Sequence, residues 1–156
     1  MENIEVILKN IDITQIGKVF AESVLFDVKD IKSSHFFDRE KNRDVSYHEV
    51  KDLRKYFQQP GTGSIFLKRA MVGAEFENVL LLIASDGKTG DITINFEEDQ
   101  FLKDSDGTAD KKAEELLAVL FAICKRGDVG EVILGYEPAE DADMTVLRIT
   151  ANQIKM

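Results

Sequence analysis

Three extended runs, Ser64 to Val72, Glu77 to Ser85 and Asp91 to Glu97, follow one another with connectors of only a few residues. Parallel neighbours need a crossover of about a dozen residues or more, so Gly73-Ala74-Glu75 and the stretch Asp86 to Gly90 leave room only for hairpins. The runs therefore form an antiparallel meander. Its middle member, Val79-Leu80-Leu81-Leu82-Ile83-Ala84, is apolar on both faces and predicts a central strand with something packed on each side. In the third run, Ile92, Ile94 and Phe96 alternate with Thr93, Asn95 and Glu97.

The rest of the chain is arranged round that meander. Ile4, Val6 and Leu8 alternate with Asn3, Glu5 and Lys9 as a short strand, and Asp12 with Gln15 offers a helix start. Ile13, Ile16, Phe20 and Val24 then predict a helix from Ile13 to Phe26. Asp27 to Val45 is a long connection with room for a short strand. Ser46 and Glu49 form a capping box for a second helix from Tyr47 to Gln58, ended by Pro60-Gly61. After Asp106-Gly107-Thr108, the third and strongest helix runs from Ala109 to Arg126. Its early acids and its late Lys125 and Arg126 complement the helix dipole. Glu131 to Tyr136 and Met144 to Thr150 close the chain as strands. The order β-α-α-β-β-β-α-β-β describes an α+β fold, three helices against a mainly antiparallel sheet of about six strands.

The chain has 156 residues, the size of one ordinary domain, so a single globular domain spanning 1–156 is expected. Its net charge of −9 opposes nucleic-acid binding, because lysines and arginines on phosphates supply most of that affinity. The excess is local. Glu97 to Asp106 holds five acids and one lysine, and Glu137 to Asp143 holds four acids and no base. Such segments serve either as a solvated surface or to recruit a basic partner. No basic-then-apolar leader follows Met1 and no apolar run reaches the roughly 18 residues of a membrane span, so a cytoplasmic location is expected. The single Cys124 permits no intramolecular disulfide and no thiolate cluster.

Motifs that suggest chemistry fail on inspection. The stretch SDGKTGD contains the GKT of a phosphate-binding loop, but Leu82 stands where that loop needs glycine, and a strand follows instead of a helix. Asp104-Ser105-Asp106-Gly107 resembles the middle of a calcium loop, yet its first and twelfth positions would be Leu102 and Ala113. His35 and His48, the two histidines, have no spacing that holds zinc; beside Asp38 they remain candidates for lining a pocket under the long loop. Cys124 falls on the apolar side of the third helix, as a buried thiol would. Glu97-Glu98-Asp99 are sequence neighbours, whereas paired acids for glycosidic chemistry need opposing walls. Phe57 and one of Phe36 or Phe37 are expected in the core. No catalytic residue, cofactor or metal is assigned.

The whole pattern, with the meander FENVLLLIASDGKTGDITINFEEDQF from Phe76 to Phe101, resembles the immunity proteins encoded beside bacterial polymorphic toxins. The resemblance implies a non-enzymatic cytoplasmic inhibitor that binds one cognate toxin. On that reading Glu97, Glu98, Asp99, Asp104 and Asp106, with Glu137, Glu140, Asp141 and Asp143, meet a basic protein partner, and Tyr136 or Phe101 supplies an apolar anchor. Two alternatives remain open. One is an enzyme or small-ligand domain using His35, Asp38 and His48. The other is a self-associating domain, a homodimer through the edge strand Met144 to Thr150.

Overall fold

The computed structural model describes residues 2–50, 52–101 and 108–150. Among these, eight strands form one antiparallel sheet: β1 (Asn3–Asp12), β2 (Ile31–Asp38), β3 (Arg43–Val45), β4 (Gly61–Val72), β5 (Ala74–Ser85), β6 (Thr89–Glu97), β7 (Glu131–Tyr136) and β8 (Thr145–Thr150). They lie in the order β3-β2-β4-β5-β6-β1-β7-β8. The helices are α1 (Ile16–Ser23), α2 (Leu53–Tyr56) and α3 (Thr108–Arg126). The α+β class holds, with eight strands in place of about six. The two additional strands are the β2–β3 hairpin, inside the stretch read as a long connection.

The meander pairs as expected, β4 with β5 and β5 with β6. β1 returns into the middle of the sheet, between β6 and β7. Ile4, Val6 and Leu8 of β1, Val79, Leu81 and Ile83 of β5, and Ile92, Ile94 and Phe96 of β6 are buried in one cluster. Ile16, Val19 and Phe20 of α1 and Leu116, Leu120, Ile123 and Cys124 of α3 belong to the same cluster. All helices thus serve one face. The other face of β5 carries Leu80 and Leu82, half-buried, and Ala84, exposed. The expectation of packing on both sides of that strand is corrected: among the described residues no helix lies on the second face, where Ile7, Ile133 and Ala139 form a small buried cluster.

Two predicted helices are shorter than their patterns. The first ends at Ser23 because Leu25 and Met71 exchange backbone hydrogen bonds of 2.9 and 2.7 Å, which draws the chain onto the end of β4. The second breaks into a single turn, Tyr47–Glu49, followed by α2. Its capping box is not made: Ser46 caps no amide with its side chain, and the Tyr47 amide donates instead to Ser34 Oγ of β2 at 2.8 Å. Asp52 caps α2 through the Lys55 amide. Tyr47 is held by the rings of Phe20, Phe26 and Phe36, so tertiary packing overrides the local helix signal.

In the SDGKTGD loop the amides that a phosphate would need are already taken. Asp86 Oδ1 accepts from Lys88 and Thr89, and Ser85 Oγ accepts from Gly87. It is a self-capped hairpin turn. Gly73, at φ +77°, makes the β4–β5 turn, where a Cβ would lie 2.2 Å from the Glu115 carbonyl of α3.

Candidate partner-binding surface

β1 brings the two acidic segments together. Glu97 at the end of β6 pairs with Asn3, and Ile4 lies between Phe96 on one side and Tyr136 on the other. Beyond the ladders, the Glu98 amide donates to the Glu2 carbonyl at 3.0 Å and the Glu137 amide to the Asn3 carbonyl at 3.1 Å. Segments about 40 residues apart in sequence thus flank the first residues of one strand. The Asn3 end of β1 gathers Glu2, Glu97, Glu98, Asp99 and Glu137, and the acidic 137–143 turn continues from it along the strand, past Glu5 to Lys9. Asp104 and Asp106, assigned to the same surface, lie outside the described residues.

Part of this charge builds the surface. The turn after β7 folds back over the sheet, where the Ala139 amide donates to Glu5 Oε1 at 2.9 Å and Glu140 pairs with Lys9. The Glu140 hydrogen bond holds the Lys9 ammonium above its ordinary pKa, against the opposing effect of its burial. Asn3 Nδ2 donates to Glu137 Oε2 at 3.2 Å. The Glu98 carboxylate near the Tyr136 hydroxyl raises the phenol's pKa, with the Glu2 charge acting in the same sense. Glu97, Asp141 and Asp143 are exposed, and their carboxylates make no hydrogen bond or ion pair with another described residue. These three are the outward charges.

Of the two proposed anchors, Tyr136 is half-buried at this end, near Glu98. Phe101 packs inward, its ring 5.6 Å from Phe76 and 5.8 Å from Phe96. Gln100, beside it, holds the backbone of Glu77 with both amide atoms, at 2.6 and 2.8 Å.

The alternative sites are not assembled as read. A groove of about 490 Å³ does lie beneath the β2–β3 hairpin, lined by Phe37, Asp38, Glu49, Lys55, Tyr56 and Pro60 among others; neither histidine lines it. His35 and His48 are exposed, on β2 and on the turn before α2. Phe36 and Phe57 are fully buried, while Phe37 is 46% exposed. Cys124 is buried, and its burial pushes the thiol pKa up. Among the described residues no group of His, Cys, Asp and Glu is arranged to hold a metal, and no helix is long and apolar enough to cross a membrane. β8 is an outer strand of the sheet, as the self-association reading requires.

Sequence reasoning missed Glu2, Glu5 and Asn95. Glu2 and Glu5 reach the surface only through the insertion of β1 between β6 and β7, which no local pattern announces. Asn95 is read as a solvent-facing residue by alternation, yet it is 7% exposed.

A family model described as PABL017 Cdi1I immunity protein matches residues 2–152. The chain belongs to the Cdi1I immunity protein family. That membership bears out the resemblance carried by Phe76 to Phe101. The fold also matches a chain in the crystal structure of the toxic C-terminal tip of CdiA from Pseudomonas aeruginosa in complex with immune protein. The TM-score is 0.64 at 19% identity, over 94% of each chain. No curated protein shows significant similarity to this Cdi1I family member.

Proposed function

We propose that this chain is a cytoplasmic inhibitor, acting as a single domain, that binds a cognate CdiA-type toxic tip and silences it by occlusion, without chemistry of its own. The observation that carries this reading is the meeting of the two acidic segments across the first residues of β1, with the acidic 137–143 turn continuing along that strand, in a member of an immunity family. The wider molecule is polarised the other way: Lys29 to Lys55, the region of β2, β3 and α2, holds eight bases and six acids. A concentrated negative end attracts and orients a basic partner, and it acts mainly on the rate of encounter. Glu97, Asp141 and Asp143 provide the outward charge and Glu98, Asp99, Glu137 and Glu140 reinforce it, with Asp104 and Asp106 counted in the same partner-binding set.

Co-expression tests the reading. The toxic tip encoded beside this chain, expressed alone in a bacterial host, arrests growth. Expression with this chain is expected to restore growth and to yield a co-purifying complex of one copy of each. Arrest undiminished by abundant, folded chain contradicts the proposal.

A further inference from the structure

The open face of the sheet carries an unusual row. Phe66 of β4 pairs with Leu80 of β5, Leu80 with Asn95 of β6, and Asn95 with Glu5 of β1. Directly opposed residues share a face, and Asn95 alternates with Ile94 and Phe96, whose side chains face the helices. The row therefore runs straight across four strands on the uncovered side, about 14 Å at ordinary strand spacing. It passes from half-buried apolar groups into the acidic end. Lys32 borders it at the apolar limit, its ammonium 5.1 Å from the Phe66 ring centroid.

Asn95 is the exception within this row. It is buried, and its Oδ1 accepts no hydrogen bond. A buried carbonyl oxygen without a donor is unfavourable, and nearly all such groups in folded proteins are satisfied. Its neighbours give the ordering from apolar to polar to charged found where a cationic side chain docks. Leu80 offers a surface for the aliphatic stem, Asn95 an unfilled acceptor that lies just beneath the surface and is reached when its side chain turns outward, and Glu5 and Glu97 the counter-charge.

We propose that the toxin seats on this open face, adjoining the acidic end, and that an arginine or lysine of the toxin lies along Leu80 and donates to Asn95 Oδ1 beside Glu5 and Glu97. This rests on the reading of the chain as a toxin inhibitor. Interfaces concentrate their affinity in a few desolvated positions ringed by weaker contacts. Asn95 is that position here, and the exposed acids are the ring.

The test is Asn95→Leu, measured twice. Removing an unsatisfied polar group in favour of a similar apolar volume is expected to raise the urea midpoint of the free protein. It is also expected to raise the Kd for the purified toxic tip encoded beside this chain by about tenfold or more. A purely internal role moves the first quantity and leaves the second alone. A second variant, Leu80→Arg, alters a half-exposed position and opposes an incoming cation; it is expected to weaken binding by a similar factor with an unchanged circular dichroism spectrum. Unchanged affinity in both variants overturns the docking proposal while the wild-type complex keeps the inhibitor reading in place. Failure of the wild-type chain to bind the tip removes both.

Discussion

Reversal of the three outward acids, Glu97→Lys, Asp141→Lys and Asp143→Lys, isolates the electrostatic part of the account. All three are exposed, and none of their carboxylates is used within the described fold, so the substitutions leave the folded state intact. Two unit charges about 8 Å apart in water interact by about 0.5 kcal/mol, and reversing one changes the interaction by about 1 kcal/mol. Three reversals opposite a basic surface therefore remove about 3 kcal/mol of attraction at about 10 mM salt, where the screening length is about 30 Å. At about 150 mM salt that length falls to about 8 Å, and about 1 kcal/mol remains. Expressed as association rates, the losses are about a hundredfold and about fivefold. Stopped-flow mixing with the toxic tip at the two salt concentrations reads both numbers. A matched variant, Glu40→Lys, Asp44→Lys and Glu75→Lys, makes the same change in net charge at exposed sites elsewhere and is expected to slow association far less. Equal slowing by the two variants, or none at low salt, refutes the reasoning.

Gly63→Ala places a Cβ 2.1 Å from Phe36 Cε2 in the buried aromatic cluster, and a loss of about 1–3 kcal/mol is expected in urea unfolding. The Asp86 carboxyl is held below its ordinary pKa by the Thr89 and Lys88 amides. Its contribution is present above the unfolded value of about 3.9 and lost as pH falls through the lower folded value. Urea midpoints of Asp86→Ala and wild type should therefore differ at pH 7 and converge in acid; a constant gap contradicts the capped turn. Cys124 should resist iodoacetamide at pH 8 in the native protein and react once urea unfolds it, since burial both shields the thiol and disfavours the thiolate.

The parts of the fold that were legible in the sequence have local causes. Short connectors make the meander antiparallel, and the charge gradient along α3 marks that helix almost to the residue. β2 is hidden in the sequence because only Phe36 of its side chains is fully buried, while Lys32, Ser33, His35 and Phe37 are exposed, so the strand shows no clear period. The sequence overstates the second helix because Ser46 and Glu49 satisfy the spacing of a cap, whereas the bond that decides the segment runs from Tyr47 to Ser34 on β2. The acidic segments were each visible, but their meeting depends on β1 entering between β6 and β7, a non-local event. For the same reason Asn95 looked like an ordinary polar position: alternation assigns a face, and burial on that face is set by other strands and by the turn that folds back over Ile7 and Ile133.

Hydrogen exchange on the complex with the toxic tip tests the central claim most directly. The account predicts slowed exchange on binding at residues 2–5, at Leu80 and Asn95, and through 97–99 and 137–143. It predicts little change at the groove beneath the β2–β3 hairpin or at the exposed Leu25 and Met71. Protection confined to those latter places, with the acidic end exchanging as in the free protein, would contradict it.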